Sequence, residues 1–409
     1  MRVLAYLLIA LSPVMVLAQD TSPEPELLYY SITGWTSSTS PAENATYAMT
    51  HREVQRLLLD IAASPRKRNY VEKALSGSGV SLSDMVANGS LRLEAGRYWL
   101  NFSLLTRSDQ EIIGRATDRY SQSLADAMLE RRTEIESLLR RYDLAGVDPK
   151  EVAFAVLGCM SLDWDGLALT TVKGYRAVSP KRKSGEFYVM AEETGGLSLK
   201  RIYWGSGNVG YGKYYFTTFG DLSPRGGLSD IRGKGSTAAQ AMSGEELGKA
   251  VGAMMFALRE GPRTSEALTK AAGTDGSKTE ELLNGMESVG WVARQGEEYR
   301  ARIPVLTQRD KPMVAGLLRI GHEVMDSWLV SNYDLFRSSV REITPMRQGV
   351  PYQQTFDQLW HYLFGIANQK LVEGGLFTDP YATGRMQQGY VAFLYEDGLN
   401  SGWAKHEGS

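Results

Sequence analysis

GRYWLNFSLLTRSD at 96–109 and EEYRARIPVLTQRD at 297–310 pair residue for residue. Tyr98 falls on Tyr299, Leu105 on Leu306, Thr106 on Thr307 and Asp109 on Asp310. Identity is low, but the same succession of segments surrounds both stretches. A chain that carries one unit twice is expected to fold as two like units, and like units can pair as the halves of a dimer do.

In the second copy SGEELGKAVGAMMFALREG reads as a helix. TSEALTKAAG follows, then the turn TDG and a third helix in SKTEELLNGMESVG. WVAR, QGE and EYRARIP then read as strand, turn and strand. The first copy runs THREVQRLLLDIAAS, RNYVEKALSG and SLSDMVANG, then SLRL, EAG and RYWLNF. The order is the same, with a shorter third helix. Thr50 and Glu53 have the spacing of a capping box at the first helix. SPR at 64–66 and GPR at 261–263 mark the same joint.

Three helices followed by a two-stranded wing resemble the winged helix-turn-helix of the ArsR and MarR regulator families. The resemblance spans roughly a third of the chain over both copies and rests most on LLNGMESVGWVARQGEEYRA. It implies a third helix that reads DNA. The residues to carry that role are Lys278 and Thr279 on the helix, with Arg294, Arg300 and Arg302 in the wing. The residue types argue against it. Lys278 is set among Glu280, Glu281 and Glu287, and the first copy's third helix has Asp84 and no cation. Phosphate affinity comes mainly from Lys and Arg. The runs RKR at 66–68 and PKRK at 180–183 are the counterweight.

After each wing a long helix is expected. Ile113, Ala116, Tyr120, Leu124, Met128, Ile135, Leu138 and Tyr142 recur at steps of mostly three and four. One helix over 108–143 would be about 50 Å long. Val314, Leu317, Val324, Trp328, Leu335 and Val340 play the same part in the second copy. Each copy then has a richly apolar helix, at 151–169 and 356–372, with Phe154 matching Phe356 and Leu157 matching Leu359. The expected fold class is therefore α+β and mainly helical. Two winged-helix repeats, each with a long helix, sit in a pseudo-two-fold arrangement around a central antiparallel sheet. The expected boundaries are a signal peptide at 1–18, a linker at 19–49, a first winged helix at 50–106 and its helices at 107–170. A β segment follows at 171–232, then a second winged helix at 233–307, its helices at 308–380 and a tail at 381–409.

The β segment holds WGSGNVGYG, in which Gly205, Gly207 and Gly210 spell a dinucleotide fingerprint. That motif needs a helix after the glycines to carry the phosphate. GKYYFTTFG reads as a strand instead, and no kinase-type lysine strand, HRD or DFG is present. The glycines are expected to serve a hairpin loop through positive φ.

Arg2 precedes the uncharged run VLAYLLIALSPVMVLA, with Val16 and Ala18 placed for cleavage before Gln19. The chain is expected to be exported. Cys159 is the single cysteine, so no internal disulfide can form, which favours a bacterial envelope. A net charge of -2 over 409 residues gives no global field to recruit nucleic acid or anionic lipid. His51, His322, His361 and His406 form no ligand motif, and no G-x-S-x-G elbow occurs. Asp163 and Asp165 are expected on different helix faces, and Cys159 reads as a core thiol.

These readings point to a non-enzymatic binding or sensing module with no metal and no cofactor. Its partner is another protein, or a small apolar ligand held between the repeats by Tyr203, Trp204, Trp164, Trp360, His361 and Tyr362. Nucleic acid is the alternative partner, for a cytoplasmic regulator whose N-terminus is no signal. A membrane enters only if the N-terminal run stays uncleaved.

Overall fold

A computed structural model describes residues 27–33, 40–177, 188–195, 206–219, 228–233, 237–380 and 391–399. The fold is α+β and mainly helical, with several small sheets. The expected signal peptide lies outside the described residues.

The first half begins with strand β1 (Leu28–Thr33) and helices α1 (Ala45–Met49), α2 (Arg52–Ala63), α3 (Arg68–Leu75) and α4 (Leu82–Ala87). Val54, Leu57, Leu58 and Ile61 recur at helical spacing and form the buried face of α2. The Thr50–Glu53 cap is not made. The helix starts after His51, and the Thr50 hydroxyl donates to the Tyr47 carbonyl. A complete capping box forms instead on α4, between Ser81 and Asp84. Strands β2 (Leu91–Glu94) and β3 (Arg97–Leu100) make a hairpin, followed by β4 (Ser103–Leu105). The hairpin turns through Ala95 at φ 48° and Gly96 at φ 72°, as a two-residue I′ turn requires.

The expected single helix over 108–143 is two: α5 (Arg107–Leu129) and α6 (Arg132–Leu139). The chain leaves helical geometry at Arg131, with ψ 7°, where its guanidinium joins Glu134 and Glu323. Helix α7 (Pro149–Val172) follows, started by Asp148 and by Pro149 in the first turn. It is long and apolar enough to cross a membrane, but 89% of its most apolar window is buried inside this fold. Residues Phe154–Asp165 of α7 are wound as a π-helix.

Strand β5 (Tyr188–Glu193) closes the first half, and β6 (Ser206–Tyr211) and β7 (Tyr214–Phe219) open the second. Next come α8 (Leu228–Gly233), α9 (Thr237–Ala241), α10 (Gly244–Arg259), β8 (Arg263–Thr264), α11 (Ser265–Ala272) and α12 (Gly276–Ser288). The hairpin β9 (Val292–Gln295) and β10 (Glu298–Ala301) leads to β11 (Val305–Leu306). Long helix α13 (Lys311–Ser339), short α14 (Thr344–Arg347), apolar α15 (Tyr352–Glu373) and strand β12 (Val391–Glu396) complete the chain.

The halves share more than order. β2 and β9 have one burial pattern, inward at the first residue and outward at the last two; β3 and β10 share another. Arg66 bridges Tyr98 as Arg263 pairs with Tyr299. Thr106–Asp109 and Thr307–Asp310 both close capping boxes. The next backbone N–H is taken by Glu193 at 2.9 Å in one half and by Glu396 at 2.9 Å in the other.

Among the described residues, the expected antiparallel strands of 171–232 do not share one central sheet. Residues 171–172 end α7, and α8 is a helix. β5 is the middle of a sheet β1-β5-β4, while β6 and β7 belong to a second sheet β11-β12-β7-β6. Both sheets contain one parallel pair, β4 with β5 and β11 with β12. The linker at 19–49 and the tail at 381–409 thus supply β1 and β12. Parallel pairing explains the miss: the partners are over eighty residues apart, and no hairpin turn links them. Gly207 and Gly210 lie within β6, and Gly212 at φ 63° starts the two-residue turn.

The core sits where the halves meet. α15 packs along α5, and α13 packs along α7, so each long helix lies on the apolar helix of the other half. Phe154, Leu157, Phe356 and Leu359 are fully buried there. Each such side chain is worth about 1.5–3 kcal/mol.

Candidate functional site

α7 and α13 meet through polar groups as well as apolar ones. His322 Nε2 lies 2.7 Å from Asp165 Oδ2, and the Asp165 side chain is almost fully buried. Trp360 donates its Nε1–H to the Leu162 carbonyl at 3.0 Å. Gly166 is required under that indole, because a Cβ there would sit 2.7 Å from it. Asp163, two residues earlier, is also buried. Burial, with Asp163 and Asp165 nearby, holds the Cys159 thiol well above its ordinary value and unreactive. A carboxylate-paired histidine can move protons. Ser161, the nearest hydroxyl along α7, is fully buried against Gly321 and closed to a substrate. The Asp165–His322 pair was invisible in the spacing, since 157 residues separate the partners.

β5 lies on α15 through a second buried set. Glu192 accepts hydrogen bonds from the Tyr362 hydroxyl and from Gln358 Nε2 at 3.2 Å. Burial pushes this carboxyl up to about 7, and the two donors offset only part of that rise. Beside it Arg176 pairs with Asp357, and His361 Nδ1 lies 2.8 Å from the Asp357 carbonyl. In the other half the residue matching Glu192 is Tyr395, which packs on α7 through Trp164 at 5.9 Å.

The aromatic candidates among the described residues are held by different elements. Trp360 and Tyr362 are fully buried, two residues apart on a helix, and face α7 and β5 respectively. His361 bonds within its own helix, and Trp164 packs on β12. Tyr203 and Trp204 lie outside the described residues.

The cationic candidates are mostly engaged. Lys278 pairs with Asp275 at 3.2 Å in the first turn of α12. Thr279 is fully buried and shares a hydrogen bond with Thr274 at 2.7 Å. Arg294 donates to the Gly296 carbonyl at 3.1 Å and lies over the Tyr299 ring. Arg300 is half-buried against the loop at Gly146, and Arg302 is likewise half-buried.

One open cleft of about 650 Å³ was missed by sequence reading. It lies between α3 and α4 of the first half. Leu75, Val80, Leu82 and Val86 line it together with Ser76, Ser81 and Ser83, with Tyr98 behind and the ion-paired Arg68 and Glu72 on one wall. Val86 on α4 is 43% exposed and Leu93 on β2 is 59% exposed. The available signal was Val86 itself, an apolar residue on the outer side of an amphipathic segment. Comparison with family models, curated proteins and solved structures gives no match for this chain.

Proposed function

We propose that the chain is a non-enzymatic, exported binding module built on two winged-helix repeats in a pseudo-two-fold arrangement. The matched capping boxes, wing burial patterns and parallel strand pairs support the repeat. The reciprocal packing of α5 on α15 and α13 on α7 supports the two-fold, because an isologous contact uses each element twice. The N-terminal run supports export.

The observation that carries the binding reading is the character of the third helices. α4 offers Val86 and an Asp84 committed to its cap, and α12 offers a Lys278 paired with Asp275. Such faces suit a protein partner better than phosphate. The aromatics between the halves fill one another's space, which favours a partner on the outer faces over a ligand within.

Titration of duplex DNA against the mature chain at several salt concentrations tests this reading. Binding no tighter than roughly 10⁻⁶ M at physiological salt, without sequence preference, is expected. Nanomolar binding that collapses on changing Arg294, Arg300 and Arg302 to Ala would replace it with a DNA-binding regulator.

A further inference from the structure

We propose that the outer edge of β1 takes up an extended segment of a partner protein as an antiparallel fourth strand. This deepens the binding-module reading, on which it rests. Among the described residues the sheet of the first half ends at β1, in the order β1-β5-β4, while the sheet of the second half runs one strand further, in the order β11-β12-β7-β6. The two match strand for strand. β4 and β11 run parallel to β5 and β12, and β1 and β7 run antiparallel to them. Thr194 donates its N–H to the Leu27 carbonyl at 2.9 Å, and Asp397 donates to the Lys213 carbonyl at 3.0 Å. Leu28–Thr33 therefore lies on Tyr214–Phe219 residue for residue. β6 shows what the matching edge of β1 is built to receive.

An antiparallel pair turns the backbone groups of every second residue outward. With Leu27 bonded to β5, those of Leu28, Tyr30 and Ile32 lie on the outer side. Gln55 Oε1 accepts the Leu28 N–H at 3.3 Å and caps that end of the edge. At the matching places β7 presents Tyr214, Phe216 and Thr218 to Tyr211, Val209 and Gly207 of β6. The sequence before β1 is unsuited to that part. Counted back from β1 as β6 is from β7, it reads DTSPEP, with Pro23 and Pro25 at the places of Val209 and Tyr211. Proline has no N–H to give a ladder. Nor is β1 blunted as exposed edges are: LYYSIT holds no charge, proline or glycine, whereas β6, the outermost strand of the second sheet, holds Gly207 and Gly210. The fourth strand therefore comes from outside, where an added strand gains affinity from its backbone and specificity from alternate side chains. Its chemistry follows from β6. It brings a backbone N–H opposite Tyr30, as Val209 does opposite Phe216. It brings a glycine opposite Tyr29, because a Cβ at Gly210 would sit 2.7 Å from the ring of the matching Tyr215.

The test uses the full mature chain, a labelled peptide with the β6 sequence SGNVGY, and labelled duplex DNA. The peptide is expected to bind at about 10⁻⁴ M. Replacing its valine with proline, or its second glycine with valine, should weaken binding by about tenfold or more. Tyr30→Pro in the protein removes an outward N–H, keeps the β1–β5 bonds and should weaken binding as much. Where that change lowers the urea midpoint, the two altered peptides still decide on the unaltered chain. No binding, or equal binding of the three peptides, overturns the inference, and so does binding that survives Tyr30→Pro in a folded chain. Self-association of the chain that Tyr30→Pro abolishes overturns it too, by giving the edge to a second copy. Nanomolar binding of the DNA removes the binding-module reading itself, whereas failure of the peptide without it strikes only the edge of β1.

Discussion

Replacing Glu192 with Gln removes a charge that the fold holds away from water. Burial raises this carboxyl from an ordinary 4.5 to about 7. A carboxyl raised on folding contributes fully below pH 4.5, where it is protonated in both states, and that contribution is lost as pH rises through about 7. At about 1.36 kcal/mol per pH unit of separation, the ionised group costs the fold about 3 kcal/mol at alkaline pH. Gln keeps the size of the acid and an oxygen for the Tyr362 hydroxyl, but no ionisation. Glu192→Gln and the wild-type chain should therefore have similar stability near pH 4. Their difference should open between 4.5 and about 7 and level off above, with the variant more stable by about 3 kcal/mol. Urea unfolding followed by tryptophan fluorescence across this range measures it, since a shift in midpoint at constant slope reports stability alone. A difference that stays flat with pH, or a variant less stable at alkaline pH, would refute the argument.

Arg259→Ala should cost about 3–5 kcal/mol in urea unfolding, because it leaves the buried Asp310 carboxylate, now 2.6 Å from the guanidinium, without its cation; a loss under about 1 kcal/mol would mean that water replaces the arginine. Gly321→Ala places a Cβ 2.0 Å from Ser161 Oγ and should destabilise by about 1–3 kcal/mol. Ser161→Gly in the same chain should recover most of that loss, whereas simply additive costs would show that this contact is not its source. Ala95→Asn, at φ 48° before Gly96, should stabilise the first hairpin by about 0.5–1 kcal/mol as the preferred Asn-Gly turn; a lower melting temperature would count against a left-handed Ala95.

Many local features were legible where neighbours in sequence are neighbours in space, although the Thr50–Glu53 cap is not made and the helix expected over 108–143 breaks at Arg131. EAG and QGE between alternating residues announce two hairpins, and both form there. The apolar helices were visible from composition, and Phe154 and Phe356 are both fully buried. What failed was the assignment of strands to sheets. β5 and β7 each read as a strand, but nothing near them says that β5 pairs with β1 and β4 while β7 pairs with β12. The tail and linker were misread for the same reason. Strand β12 has partners far away in sequence, the parallel β11 and the antiparallel β7, and no turn near it announces either. The Asp165–His322 and Glu192–Tyr362 contacts failed likewise, since each joins one half to the other.

The polar contacts between the halves explain why two similar units meet in one register. Apolar helices of like composition can slide past each other by a turn at small cost, since most side chains find another apolar surface. Buried hydrogen bonds cannot slide so freely, because an unpaired partner costs about 1–3 kcal/mol. Here Ser121 donates to the Leu363 carbonyl at 2.8 Å, Trp328 to Ser123 at 2.8 Å and Trp360 to the Leu162 carbonyl at 3.0 Å. Gln348 bridges the Leu100 N–H and the Ile61 carbonyl, and Asp109 accepts from the Thr344 N–H at 2.8 Å. These bonds run from one half to the other and differ on the two sides of the contact. They select one alignment of α5 on α15 and of α13 on α7.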